Sequence, residues 1–304
     1  MKTIVSLFLL SCVLQAFEYN LVPQKLTNDV YCFFGKPENI SKENGGNMVN
    51  TCFVKTKEGF VVIDSGPTYN YAAQAFIQMQ KIAPLPVKYV INTHDHDDHW
   101  LGNSFYKEKG ALLMGPETYE QNIVPGMSTR MEKGVGKETF TGTKVVKLNK
   151  VVQKKYSFTL GGTFFTIQQL VKQAHTKGDL IIYLPQEKVL FAGDLVFNDR
   201  VSSLRDGSII GSLKALELID RLHPKVIVGG HGYRTDGNAT QVFKSYLVTM
   251  KEQILEAISN DVSIDEINKK VIMPEYKEMK LYDVLHRRNV FDAYRELELY
   301  DDEE

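Results

Sequence analysis

This chain has little that would tie it to nucleic acid or to a bilayer. Its 36 lysines and arginines face 37 aspartates and glutamates, for a formal net charge of −1. There is no basic field to meet phosphate and no acidic excess to argue for disorder. No internal run approaches the roughly 18–20 apolar residues that span a bilayer. Low-complexity tracts and short repeats are missing too, and the run of like charge at Asp301 to Glu304 reads as a frayed tail. Cysteine is scarce, three residues in 304. Neither Cys32 nor Cys52 adjoins a candidate metal ligand, so thiolate chemistry is not expected at the site. A hydrophobic content of 43% is enough for one large core or two smaller ones.

The N-terminus differs from the rest. Lys2 precedes an apolar run from Ile4 to Leu14, followed by Gln15-Ala16-Phe17. A short charged region, a hydrophobic region and a small residue before the cut make a secretory leader over 1–16, cleaved near Ala16. That predicts a periplasmic or secreted bacterial protein. Leu9-Leu10-Ser11-Cys12 loosely resembles a lipobox, although the segment before it is short. Cleavage after Ala16 removes Cys12 and leaves Cys32 and Cys52 in strand-like segments. Two buried thiols is the plainer expectation; an oxidising compartment would let them pair if their Cβ geometry suits.

Apolar patterning predicts strands at Val30–Phe34, Asn50–Lys55 and Phe60–Ile63, the last two joined by a turn at Lys57-Glu58-Gly59. Lys36–Asn47 reads as a mobile loop. Tyr69–Ile82 has helical spacing and is stopped by Pro84 and Pro86. A short apolar strand, Val87–Ile91, runs into the densest polar cluster of the chain. Ala111–Met114 reads as a strand, Glu117–Asn122 as a short helix, and Pro125–Gly142 as a long flexible segment. Strands follow at Phe158–Leu160, Phe164–Gln168, Leu180–Leu184, Val189–Phe191 and Val226–Val228, with a helix at Ser212–Leu222. From Thr240 onward the pattern is helical, over Gln241–Ser259, Ile264–Val271 and Tyr282–Leu299. This order suggests two similar halves, each a sheet covered on its outer face.

The cluster is His94-Asp95-His96-Asp97-Asp98-His99. Nitrogen and oxygen donors at this density suit a borderline cation such as zinc. Of the seven histidines, His94, His96, His99, His175 and His231 all lie beside apolar strands. Asp194 lies in a similar place. His223, before Pro224, and His286, beside Arg287 and Arg288, read as structural.

The series His94-x-His96-x-Asp98-His99, then His175, Asp194 and His231, resembles the metallo-β-lactamase superfamily. So does the apolar strand Val61-Val62-Ile63 ending in Asp64-Ser65-Gly66. The resemblance implies an α/β fold, a four-layer αββα sandwich over 17–240. A helical extension over 241–304 would pack on the same domain. It also implies two Zn2+ per chain, with iron as the alternative metal. His94, His96 and His175 would hold one ion, Asp98, His99 and His231 the other, and Asp194 would bridge them. Asp64 would orient a ligand imidazole, and Thr93 and Thr176 are candidates for similar work.

Flavin-linked di-iron members carry a Glu where this chain has His96, whereas single-iron persulfide dioxygenases share much the same motif. Asp194 separates the chain from lactamases with a Cys there and brings it nearer hydrolases such as glyoxalase II. The segments Gly193–Arg200, Ser203–Ser208 and Asn289–Glu298 resemble the secreted SoxH-like branch, associated with quinoprotein and sulfur-oxidation systems. The implied activity is hydrolysis of an ester, thioester, lactone or amide-like bond in a small molecule. Asp98 would orient the nucleophile and take its proton. Arg200, Asn198, Lys177 and Tyr233 are the candidate substrate contacts. The alternatives are an iron-dependent persulfide dioxygenase and a non-catalytic accessory protein with a partner in a periplasmic redox system.

Overall fold

A computed structural model describes residues 17–124 and 126–300. The expected leader with Cys12, and the acidic tail, lie outside the described residues. The first sheet has seven strands in chain order: β1 (Gln24–Lys25), β2 (Val30–Phe33), β3 (Thr51–Lys55), β4 (Phe60–Ile63), β5 (Val87–Ile91), β6 (Leu112–Pro116) and β7 (Lys150–Val152). Neighbours are antiparallel from β1 to β4 and parallel from β4 to β7. The second sheet is built from β8 (Lys155–Leu160), β9 (Thr163–Gln169), β10 (Leu180–Leu184), β11 (Val189–Phe197) and β12 (Val226–His231). Its spatial order is β12-β11-β10-β9-β8, and only the β11–β12 pair is parallel.

Alternation within single strands builds the layers. All four residues of β4 are buried. Val61 and Ile63 join Ile91, Phe165, Ile182 and Phe191 in the core between the sheets. Phe60 and Val62 point the other way, toward α1 (Tyr69–Ile82) with its buried Ala72, Ala75 and Met79. A strand covered on both faces reads as a continuous apolar run for this reason. The Thr68 side chain caps α1 by accepting from the Tyr71 amide.

Two short helices, α2 (Asp97–Trp100) and α3 (Asn103–Glu108), follow β5, and α4 (Glu117–Asn122) follows β6. Over the outer face of the second sheet lie α7 (Ile209–Arg221), α8 (Gln241–Ser259), α9 (Ile267–Lys270) and α10 (Tyr282–Leu297). Phe243, Leu247, Val290 and Ala293 share one core with Leu190, Val196 and Ile227 of the sheet. The C-terminal helices are therefore a fourth layer with its own extension.

Three expectations are corrected. Residues 126–142 are not a flexible segment: they carry α5 (Thr129–Val135) and α6 (Lys137–Phe140). Buried Met131 and Val135 pack there against Trp100 and Tyr119. The stretch has few apolar residues, and both key ones point the same way. Lys36–Asn47 is held rather than loose, because the Asn44 side chain accepts from the Ser41 and Gly46 amides and donates to the Asn39 carbonyl. Cys32 and Cys52 are joined by a disulfide, not left as thiols. The β2–β3 register sets them directly opposite each other, a juxtaposition that spacing alone does not show.

Candidate metal centre

The first half of the site hangs from Asp64. The chain leaves β4 there in a left-handed conformation, φ +55°. The buried carboxylate accepts from the Thr93 amide, the Thr93 hydroxyl and His99 Nδ1, each at 2.8 Å. Because the Thr93 hydroxyl gives its proton to Asp64, its oxygen faces His94 Nδ1 at 3.0 Å as an acceptor. Both imidazoles therefore hold a proton on Nδ1 and turn Nε2 toward the site.

His96 is braced differently. Its Nδ1 faces His175 Nε2 at 2.9 Å, and its Nε2 meets Asp206 at 3.1 Å. Arg205 donates twice to that same Asp206. Asp206 was not among the expected site residues, although it lies in the Ser203–Ser208 segment already singled out. The His96 side chain is 24% exposed, against 1% for His94.

The second half comes from three separate elements. His175 sits between β9 and β10. The neighbouring Thr176 gives its amide and hydroxyl protons to Asp179, each at 2.8 Å, repeating the Thr93–Asp64 arrangement. Asp194 lies inside β11, which runs six residues past its expected end. His231 closes β12 and donates from Nδ1 to the Met48 carbonyl at 2.7 Å. The two sheets touch next to Asp194: a Cβ on Gly193 (φ +51°) would lie 2.6 Å from Thr93 Cβ. Asn50, which sequence reading missed, ties β3 to this edge by donating from Nδ2 to the Gly229 and Gly232 carbonyls.

Together these elements gather His94, His96, His175 and Asp194 in one group and Asp98, His99 and His231 in another. Within each group the ligand atoms lie within 4.8 Å of one another. Asp194 reaches both groups, with Oδ2 at 3.1 Å from His175 Nε2 and Oδ1 at 3.2 Å from His99 Nε2. His94 Nε2, His99 Nε2 and Asp194 Oδ1 are buried and have no hydrogen-bond partner. A buried polar atom left unpaired costs about 1–3 kcal/mol, so three in one place fit a cation. Burial, reinforced by the neighbouring His99, holds His94 well below the usual imidazole range. His99 is raised well above that range, because Asp194, Asp64 and Asp98 together outweigh the effect of its burial. Asp194 is driven well below the carboxylate range, because four surrounding imidazoles outweigh the opposing effect of burial.

A cavity of about 360 Å³ opens on both groups, lined also by Arg130, Arg200, Arg205, Phe197 and Leu285. Arg130, carried by α5, donates to Asp97 and lies 3.4 Å from Asp98 Oδ1. Nothing in the sequence pointed to it, because α5 was read as loose chain. Of the four expected substrate contacts, Arg200 lines the cavity. Asn198 is buried with its side-chain amide unpaired. Lys177 is exposed on a separate hollow with Gln169 and Lys172. Tyr233 is half exposed beside Phe34. None of these three lines the cavity. His223 lies apart from both groups, and His286 is buried under the C-terminal helices against Tyr246 and Val271.

The chain is similar to known proteins. A hydroxyacylglutathione hydrolase of Brucella anthropi is 28% identical over 153 residues, half of this chain and 49% of its own length. That of Brucella ovis is 29% identical, covering half of each chain. This chain thus spans about half the length of these curated relatives. Among solved structures, a metallo-beta-lactamase from Pontibacter korlensis superposes with a TM-score of 0.59 at 23% identity, over 75% of this chain and 99% of that one. A double mutant of the sec-alkyl sulfatase PisA1 gives 0.69 at 18% identity, over 93% of this chain and 51% of that one. These two likenesses speak for the fold. The model of the metallo-beta-lactamase superfamily matches residues 44–231, from the Asn44 turn to the last histidine of the site, and the chain belongs to that superfamily.

Proposed function

We propose that the chain is a two-metal hydrolase that cleaves a thioester, ester, lactone or amide-like bond in a small molecule, with zinc as the ion. The observation that carries this is the pair of donor groups meeting at Asp194, with three buried donor atoms left unpaired. Three imidazoles, His94, His96 and His175, suit one ion; Asp98, His99 and His231 suit the other. When bound, the ions supply Lewis acidity, polarising the scissile carbonyl and bringing the pKa of an attacking water toward neutral.

The chain's own residues do the rest. Asp64 and Thr93 fix His94 and His99 in one tautomer. Asp194 spans the two groups. Asp98, pushed up by burial but pulled further down by His99, Arg130 and His231, stays ionised. It is the group assigned to orient the attacking water and accept its proton. Helix α5 contributes Arg130 to the cavity wall.

Hydroxyacylglutathione hydrolase relatives favour a thioester as the first substrate to try. The finer placement in the secreted SoxH-like branch rests on the 193–208 and 289–298 segments. These lie side by side, with Asn289 clamping Ser202 and Leu204. Export through the leader is part of the same proposal, and the Cys32–Cys52 disulfide suits an oxidising compartment. Metal analysis of purified protein should return two ions per chain, and hydrolysis of a hydroxyacylglutathione thioester or of a simple ester should be lost on chelation and in His96→Ala. Fewer than one ion per chain, with no turnover across a thioester, ester and lactone panel, sinks the reading.

A further inference from the structure

Arg200 is 9% exposed and lines the cavity, yet it forms no ion pair among the described residues. Its polar contacts are long: Nε to the Val201 carbonyl at 3.5 Å, and Nη1 to the Glu38 carbonyl at 3.4 Å and to His231 Nδ1 at 3.3 Å. The last is no hydrogen bond, because His231 Nδ1 already donates to Met48. Nη2 has no protein partner among the described residues. The other two guanidiniums of the cavity are spoken for, Arg130 by Asp97 and Arg205 by Asp206. Asp95, on the same wall, accepts from the Asn122 amide.

A buried, unpaired guanidinium is costly unless something compensates it. The carboxylates of Asp194 and Asp98 line the same cavity. Those are the two carboxylates the proposed metals would take. Loading the site leaves Arg200 as an uncompensated cation beside an electropositive centre. The position is also a built one. Asp199 precedes it at φ +64°, the Asp199 carbonyl accepts from the Lys280 amide, and the Val201 amide donates to the Lys280 carbonyl. Asn289, fully buried on α10, holds the next turn. The C-terminal extension thus presents Arg200 to the cavity.

We infer that Arg200 anchors an oxyanion-binding subsite, and that the substrate is an ester or thioester bearing a carboxylate or comparable anionic group close to the scissile carbonyl. The inference deepens the hydrolase reading and rests on it. A guanidinium fork suits an oxyanion better than an ammonium does.

The test compares para-nitrophenyl hemiglutarate, which is anionic, with neutral para-nitrophenyl pentanoate on the metal-loaded full chain. Wild type should favour the anionic ester in kcat/KM. The ratio of the two kcat/KM values should fall at least tenfold in Arg200→Met, mainly through KM, and by less in Arg200→Lys, which also serves if the Met variant does not fold. No anionic preference in wild type, or an unchanged ratio in the variants, overturns the subsite. Calorimetry with glutarate needs no turnover. Weaker glutarate binding in the variants supports the subsite even if neither ester is cleaved, an outcome that counts against the hydrolase reading alone. Equal binding overturns it. A parallel titration with propanesulfonate separates carboxylate from sulfonate recognition.

Discussion

Two parts of the ligand loop are braced in opposite ways. His94 and His99 hang from Asp64 through a network sealed from water, which fixes the direction of both rings. His96, on the same loop, reaches across instead to Asp206 from beyond the second sheet, half exposed and held by an exposed Arg205. A buried brace acts in a low dielectric, where each hydrogen bond is strong and its loss is expensive. An exposed brace costs little to break but still steers a ring. One side of the centre is therefore tied to the fold's stability, and the other is adjustable without touching it.

The largest test of this contrast is Asp64→Ala. It strips the acceptor from the Thr93 amide, the Thr93 hydroxyl and His99 Nδ1, all buried. The expected loss is about 3–5 kcal/mol of stability, read by urea unfolding, together with loss of bound metal. A variant that keeps its metals and its unfolding midpoint would refute the buried-brace account. Reduction of Cys32–Cys52, 20 residues apart, should cost about 3 kcal/mol. In the loaded protein that cost should appear in the melt before it appears in metal content, since neither cysteine touches the donor groups.

Asp206→Ala should weaken one of the two metals about 10–100-fold while stability moves by less than about 0.5 kcal/mol. Stepwise chelator titration resolves the two sites. Equal weakening of both ions, or an unfolded protein, would erase the contrast. The smallest effect is expected far from the centre. His286 lies between Tyr246 and Val271, and burial pulls its pKa below the usual value. A depressed histidine pKa means that the unfolded chain binds the proton first. This stability is complete above about pH 6.5 and falls as pH drops through the folded pKa, by under about 1 kcal/mol. In His286→Gln the stability-against-pH curve should be flatter over that window.

Much of this was legible in the chain. Helix α1 and strand β5 have their expected bounds, because helical spacing, proline stops and a short apolar run each admit one reading. The donor residues stood out through polar density at strand ends. What escaped depended on contacts distant in sequence. Asp206 lies 110 residues from the ring it holds. Arg130 sits on a helix whose apolar face is only Met131 and Val135. The cysteine pairing needed a strand register, and β11 looked short because Gly193 interrupts its apolar run. Lys177, Tyr233 and Asn198 were chosen for nearness in sequence to donor residues, yet Lys177 lies on another hollow, Tyr233 leaves β12 past the left-handed Gly232, and Asn198 is buried.

Trp100, the sole tryptophan of the chain, occupies the joint between the ligand loop and α5. Its indole N–H donates to the Asp95 carbonyl at 3.0 Å, its ring meets Tyr119 edge-on, and Met131 and Val135 pack in the same cluster. Tryptophan fluorescence of the native protein, excited selectively, therefore comes from a single residue at a single junction. A change in emission on chelation or on ligand addition reports rearrangement at this junction, with no label needed.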